Sequence, residues 1–235
     1  SERVNALFGQ IRTTSDLLDR TTLALGVRYN NASNSDDATV WNLSGRYDFT
    51  PRLFARAGVG TAFRYPDANQ LLAIDDSCCI GNPDLKPERS TNVNGSVGGY
   101  LRAGESTITI EAIGFYRDIT DLIIEVDHPD GSGNTITANG DGSVKAKGVT
   151  LVGSAAVNRT LSGSLGYTYT RSEGTSLSAG GYENLPGIPQ NQVDASFDVH
   201  PVGKPFGVSS TINFVGKTLS SAPGFGAVSL DSYAL

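Results

Sequence analysis

Apolar and polar residues alternate with a period of two along nearly the whole chain, and helical periodicity is nearly absent. In Leu161-Ser162-Gly163-Ser164-Leu165-Gly166-Tyr167-Thr168-Tyr169-Thr170 the odd positions carry most of the bulk and the even ones are small and polar. From Val193 to His200 the odd positions are apolar and the even ones polar. Trp41 to Phe49, Leu23 to Tyr29 and Thr91 to Leu101 repeat the pattern, and Ile108, Ile110 and Ala112 carry it on even positions. Side chains alternate across a strand, so each segment has one apolar and one polar face. The pattern predicts ten complete strands, over 3–13, 20–30, 40–49, 52–64, 90–102, 106–126, 144–157, 160–171, 191–200 and 205–217, with an eleventh beginning near 228. These are long against a usual strand of about 5–6 residues.

The links between them alternate in length. Thr50-Pro51, Ala103-Gly104-Glu105, Asn158-Arg159 and Pro201 to Lys204 are tight turns, whereas 31–39, 65–89, 127–143, 172–190 and 218–227 are long and polar. Successive hairpins of this kind put every tight turn at one end of a sheet and every long loop at the other. A soluble sandwich gives no reason for such sorting; an outer-membrane barrel does.

Aromatic residues sharpen this reading. On the apolar face, Tyr29, Trp41, Phe63, Tyr167, Tyr169 and Phe214 fall near the long-loop end, and Tyr47, Phe49, Tyr100 and Phe206 near the short-turn end. Val27, Leu43, Ala55, Ala57, Val97, Leu165 and Ile212 lie between them. Two aromatic girdles around an aliphatic band are expected at membrane–water interfaces. The opposite face carries Arg46, Asp48, Arg56, Asn92, Asn94, Asp194, Asp198 and Asn213, which suits a wet or plugged lumen and not an apolar core.

Composition removes other classes. The net charge is −6 and no Lys/Arg run occurs, which speaks against nucleic-acid binding. No stretch is apolar for long enough to make a transmembrane helix. No basic segment followed by an apolar one opens the chain in the manner of a signal peptide. Cys78 and Cys79 are adjacent and cannot staple a core. They are left with two readings, a strained vicinal disulfide in an oxidising exterior or two cysteines that are reduced or differently paired.

One segment is more specific than the alternation. Gly60-Thr61-Ala62-Phe63-Arg64-Tyr65-Pro66 precedes Asn82-Pro83-Asp84-Leu85-Lys86-Pro87-Glu88-Arg89-Ser90. This pair resembles the "G-x-x-F-R-x-P … N-P-x-L-K-P-E-x-S" signature of TonB-dependent outer-membrane receptors. Ile119-Thr120-Asp121-Leu122-Ile123 is similar to that family's "D-I-x-D-L-I" strand end, and Lys145-Ala146-Lys147-Gly148-Val149-Thr150-Leu151 to its "A-x-x-x-G-V-E-L" strand. Leu230-Asp231-Ser232-Tyr233 resembles the start of its third-from-last strand. The resemblance implies an all-β, antiparallel transmembrane barrel segment, with 1–235 as part of one β-barrel domain of roughly 22 strands. It departs from the family in having no plug, no TonB box and an end in mid-strand at Leu235, so the sequence reads as a fragment.

The implied function is energised uptake of a scarce, bulky nutrient, a ferric siderophore, cobalamin, haem or a glycan, across a bacterial outer membrane. The implied partners are TonB (through the N-terminal plug region), the small-molecule nutrient and outer-membrane lipid, with no nucleic acid. Outer loops then supply the ligand contacts: Arg64, Tyr65, Asn69, Gln70, Asp75, Asp76, Arg171, Glu173, Tyr182, Glu183 and Asn184. Phe63, Arg64, Pro66, Asn82, Pro83, Leu85, Lys86, Pro87 and Glu88 read as a structural clamp that sets the loop's return, in preference to a ligand or plug contact. No catalytic residue and no cofactor is expected, because His128 and His200 sit in no recognisable triad. The 127–141 loop offers oxygen ligands for Ca²⁺ in Asp127, Asp130 and Asp141, but a solvated acidic loop is the preferred reading, with no metal. A passive porin-like channel explains the girdles and loops but not the Phe63-to-Glu88 signature. A β-sandwich binding module would need its aromatic faces packed together, and a barrel enzyme would need an acidic dyad or Ser/His pair on one rim.

Overall fold

Strong alternation and tight turns make neighbouring segments pair in the order in which they occur. The computed structural model describes residues 3–13, 17–33, 35–75, 79–130, 133–157, 160–174, 182–183, 187–222 and 226–234. Strands β1 (Val4–Arg12), β2 (Thr21–Ala32), β3 (Ala38–Thr50) and β4 (Leu53–Arg64) come first. A short helix α1 (Ala68–Leu72), β5 (Ile74–Asp75) and β6 (Cys79–Ile80) fill the first long loop. Then come β7 (Glu88–Ala103), β8 (Ser106–Thr120), β9 (Ile123–Asp127), β10 (Thr135–Asn139), β11 (Ser143–Val157) and β12 (Leu161–Gly174). The chain continues through β13 (Tyr182–Glu183), β14 (Asn191–Val199), β15 (Val208–Val215), β16 (Thr218–Ala222), β17 (Gly226–Leu230) and β18 (Tyr233–Ala234).

The main sheet runs β1-β2-β3-β4-β7-β8-β11-β12-β14-β15-β18, with β13 beside β12. Its strand pairs are antiparallel throughout. This is the expected antiparallel meander of ten long strands. Two expectations are corrected. The segment 106–126 is two strands: Asp121 takes a left-handed φ of 55°, and β9 leaves the main sheet to pair with β10. Leu122, Ile124 and Val126 fall on the same parity as Ile108, Ile110 and Ala112, so the pattern hides the break, and an aspartate tolerates that conformation better than most residues. Residue 228 lies in β17, which pairs with β16 in a separate hairpin; the main sheet resumes only at Tyr233.

The two faces follow the period of two. Leu23, Leu25, Val27, Tyr29, Trp41, Leu43, Tyr47, Val97, Ile110, Leu151, Leu165, Tyr167, Tyr169, Ile212 and Phe214 are all exposed. Among the described residues the buried hydrophobics are only Ala32, Ala38, Phe54, Leu71, Leu85, Ile123 and Val144. A contiguous apolar face of this extent is far larger than a soluble monomer leaves in water. No described helix is long and apolar enough to cross a membrane, so any crossing falls to strands.

Polar side chains on the other face bond across the strands. Ser164 pairs with Ser196 at 2.8 Å, Thr150 with Thr168 at 3.1 Å, and Arg117 Nε donates to Asn92 Oδ1 at 2.7 Å. Tyr100 differs from expectation, since it lies on this polar face and not the apolar one. Its ring sits 5.2 Å from Phe54, and its hydroxyl accepts from Arg46 Nη2 at 3.0 Å. A phenol has an apolar body and a polar tip, so composition alone assigns it to neither face.

Gly148 shows how a motif residue serves the sheet. It faces Phe115 on β8 in register, and a Cβ there would meet the Tyr169 carbonyl and lie 2.6 Å from Phe115 Cζ. The missing side chain lets the Phe115 ring lie across β11. At the tight Ala103–Ser106 hairpin, Gly104 adopts φ 62°, which other residues take only under strain.

Candidate functional site

The rim carrying the long loops is built on the ends of β4 and β7. Arg64, last in β4, faces Glu88, first in β7. Arg64 Nε donates to Glu88 Oε2 at 2.7 Å and Nη2 donates to Oε1 at 2.6 Å, a two-pronged pair. Glu88 Oε1 also accepts the Ile123 amide N–H at 3.0 Å. Glu88 is buried, which by itself pushes its carboxyl upward. The Arg64 hydrogen bonds and charge, with the Ile123 N–H, outweigh burial and hold it below the usual carboxylate range. Arg64 is raised in turn, chiefly by its hydrogen bond to Glu88.

This pair sits at the foot of a folded loop unit. Pro66 and Pro87 are fully buried, and Leu71, Leu85 and Ile123 form a small core. Asp67 caps α1: its Oδ1 accepts from the Asn69 and Gln70 amides at 2.9 Å, and Gln70 Oε1 accepts the Asp67 N–H at 2.9 Å. The signal was legible as D-x-x-Q, a capping box, although the helix is too short to show a period. Gly81 packs so closely that a Cβ would fall 2.6 Å from the Ala73 nitrogen. The sheet β5-β6-β10-β9 then joins this loop to the 121–142 loop. Asn139 completes the joint, donating through Nδ2 to the Lys86 and Asp121 carbonyls at 2.9 and 2.8 Å and accepting the Lys86 N–H at 2.8 Å.

The expected ligand residues divide accordingly. Arg64 remains half exposed beside Glu88, and the Tyr65 ring meets the Phe63 ring edge-on at 4.7 Å. Asn69 is exposed on α1, whereas Gln70 spends its side-chain oxygen on the cap. Arg171 and Glu173 pair with each other at 2.9 Å and share the outward row of Tyr167 and Tyr169, away from the polar face. Tyr182 and Glu183 lie in β13 beside Gly174 and Glu173, and their side chains are outside the described residues. The side chains of Asp75 and Cys79, and Asp76, Cys78 and Asn184 entirely, lie outside the described residues. Among the Ca²⁺ candidates, Asp130 pairs with His128 Nδ1 at 2.7 Å, and no three His, Cys, Asp or Glu residues converge among the described residues.

A second constellation occupies the polar face near the tight turns. Arg46 and Arg56 face each other in register, and their guanidinium carbons lie 4.2 and 4.5 Å from the Phe54 ring centroid. Both cations thus rest against one buried aromatic ring. Arg46 Nη2 donates to Asp48 Oδ1 at 2.7 Å; Arg56 Nη1 donates to Glu111 Oε1 at 3.2 Å, and Ser96 Oγ donates to the same oxygen at 2.6 Å. Arg46, Arg56, Ser96 and Glu111 border a hollow of about 700 Å³ whose wall also includes Gln10, Arg12 and Asn94. Phe54 escaped the sequence reading because a bulky apolar ring falls there on the polar positions of β4; Glu111 keeps the polar parity of β8, and only the fold brings it to Arg56.

Comparison with known proteins agrees with this architecture. The family model for "TonB dependent receptor-like, beta-barrel" matches residues 1–235. The vitamin B12 transporter BtuB of Vibrio vulnificus is 29% identical over 125 residues, covering 50% of this chain and 19% of the relative. BtuB of Photobacterium profundum is 36% identical over 84 residues, covering 36% of this chain and 12% of that protein. The chain therefore spans about a fifth or less of these curated relatives. The FrpB iron transporter of Neisseria meningitidis superposes with a TM-score of 0.71 at 14% identity, over 99% of this chain and 37% of that one. The ferric enterobactin receptor PfeA, in complex with BCV-L6, superposes at 0.72 with 17% identity, over 99% and 36%. With the family model covering every residue and the sheet matching solved barrels, the chain belongs to the TonB-dependent receptor-like β-barrel family.

Proposed function

We propose that this chain forms part of the barrel wall of a bacterial outer-membrane receptor that imports a bulky nutrient with energy transmitted by TonB. The observation that carries the reading is the two-faced sheet. An apolar outward face suits lipid, and an inner face of bonded polar and charged groups suits a wet or plugged passage. The folded loop unit on one rim, set on Arg64 and Glu88, supplies a rigid base for ligand capture. Tyr65, Asn69, Asp75, Tyr182 and Glu183 sit on or beside that rim and, with Asp76 and Asn184 next to them in sequence, are the candidate ligand contacts, with Arg64 and Gln70 holding the base. No bond is made or broken in this function.

The ligand class is a corrinoid or a ferric siderophore. Relatives named for vitamin B12 and neighbours named for siderophores support these two over haem or a glycan. The test uses the full-length receptor, expressed in a strain lacking its own cobalamin and siderophore receptors. Uptake of labelled cobalamin and of labelled ferric siderophores is measured with and without TonB. Accumulation of one of them only when TonB is present is the expected result. Equal entry of both without TonB supports a passive channel and overturns the proposal.

A further inference from the structure

We propose that Asn139 is a deamidation site whose reaction is withheld by the folded loop unit and released when that unit opens. Two Asn-Gly pairs occur in the chain, Asn94-Gly95 and Asn139-Gly140. Asparagine followed by glycine is the pair most prone to this reaction, because glycine sets no side chain in the way of the ring that must close. The two pairs sit in unlike surroundings. Asn94 and Gly95 lie in the middle of β7, in register with Gly58 and Ala57 of β4 on one side and with Phe115 and Gly114 of β8 on the other. Opening the barrel wall itself is needed to free them. Asn139 ends β10, which pairs along its length with the five residues of β9, while β6 pairs with Thr135 and Ile136 at the far end. A short strand on the rim opens far more readily than a central strand of the main sheet.

Hydrogen bonds hold both reacting groups in place. Asn139 Nδ2 donates to the Lys86 and Asp121 carbonyls at 2.9 and 2.8 Å, and Oδ1 accepts the Lys86 N–H at 2.8 Å. The attacking nitrogen belongs to Gly140, and its N–H donates to the Leu122 carbonyl at 2.8 Å. Reaction requires the Asn139 side chain to turn toward Gly140 and the Gly140 nitrogen to lose its proton, and all four bonds oppose this. Opposite Asn139 in register stands Ile123, whose N–H donates to Glu88 Oε1 at 3.0 Å. The lock on Asn139 is therefore continuous with the Arg64–Glu88 pair at the foot of the loop unit.

In the open unit the Gly140 nitrogen attacks the Asn139 side-chain carbon and loses its proton, and the side-chain nitrogen leaves as ammonia. Water then opens the cyclic imide at either carbonyl, leaving aspartate or isoaspartate. Nothing is oxidised or reduced, and water is the sole co-reactant. The product cannot rebuild the joint. A carboxylate at 139 has no N–H to give the Lys86 and Asp121 carbonyls and keeps the Lys86 N–H as its partner. Isoaspartate also adds a carbon to the main chain and displaces the end of β10. Deamidation is thus a one-way step that follows opening and favours it, in the loop unit that carries Tyr65 and Asn69. This chemistry is independent of which nutrient the receptor carries.

The test incubates the full-length receptor in mildly alkaline buffer and follows Asn139 and Asn94 by peptide mass spectrometry, with aspartate and isoaspartate resolved. A synthetic peptide of residues 135–143 supplies the unprotected rate. Wild-type Asn139 should persist while the peptide converts. In Arg64→Ala and Glu88→Ala, which cut the foot of the loop unit, conversion of Asn139 should quicken on the order of tenfold, with Asn94 unchanged. Heat-modifiable mobility and an intact Asn94 show that the barrel of each variant still forms. Equal rates in wild type and both variants, or wild-type conversion as fast as the peptide, overturn the proposal. Asn139→Asp, which makes the aspartate product directly, should speed hydrogen exchange at the Lys86 and Ile123 amides. Unchanged exchange at both amides shows that the joint survives the reaction and overturns the one-way step.

Discussion

Arg64 and Glu88 are register partners across β4 and β7 although a loop with its own helix and small core lies between them. Their two hydrogen bonds, and the Ile123 N–H on the same carboxylate, tie three segments at one point. Removing the guanidinium leaves a buried carboxylate with one amide donor. Arg64→Ala should cost about 1–3 kcal/mol of local stability, toward the lower end because Arg64 is half exposed. Hydrogen exchange at the Ile123 amide should quicken in this variant, while exchange in β12 stays unchanged.

The same pair gives a pH dependence with a defined sign. Glu88 is held below its ordinary value of 4.5 in the folded loop, so its contribution is full above that value. It is lost as pH falls through the lower folded value. Protease resistance of the 65–87 loop should therefore be flat from neutral pH down to about 5 and fall below the ordinary carboxylate range. Glu88→Gln should remove this acid step. A step of unchanged size in the variant would assign it to another group.

Phe54 is the buried support of two arginines. Phe54→Ala should destabilise the barrel by about 3–5 kcal/mol, the usual cost of emptying a buried aromatic site, and Phe54→Leu by less. A urea titration of the refolded protein in detergent reads the difference. Equal midpoints for wild type and Phe54→Ala would show that the stack of Arg46, Phe54 and Arg56 is incidental.

Glycines on one strand should differ sharply. Gly148→Ala forces a Cβ against the Tyr169 carbonyl and the Phe115 ring, at a cost of about 1–3 kcal/mol. Gly153→Ala, five positions along β11, has open space and should be neutral within about 0.5 kcal/mol. Thermal loss of heat-modifiable mobility measures both.

Most of the main sheet was legible because a period of two survives every strand and the tight turns announce themselves. Thr50-Pro51 and Gly104 need only local chemistry to be read. What escaped needed information that no local pattern carries. Asp121 breaks a strand by backbone conformation, while Leu122, Ile124 and Val126 keep the apolar parity of Ile108, Ile110 and Ala112. Tyr100 fits either face until Arg46 and Phe54 are placed beside it. The loop unit depends on Asn139 reaching Lys86, a contact made across 53 positions. The Arg64–Glu88 motif was visible as a signature, but its physical reason appears only when the two strand ends meet.

The central claim is that one face of the sheet meets lipid and the other does not. Single cysteines placed along residues 161–170, with Cys78 and Cys79 replaced by serine, would test it most directly in the full-length receptor in vesicles. Each is labelled with a fluorophore and quenched either by brominated lipid or by aqueous iodide. The account predicts strict alternation, with 163, 165 and 167 quenched by lipid and 162, 164 and 166 spared. Uniform quenching along β12, or lipid quenching of the even positions, would contradict it.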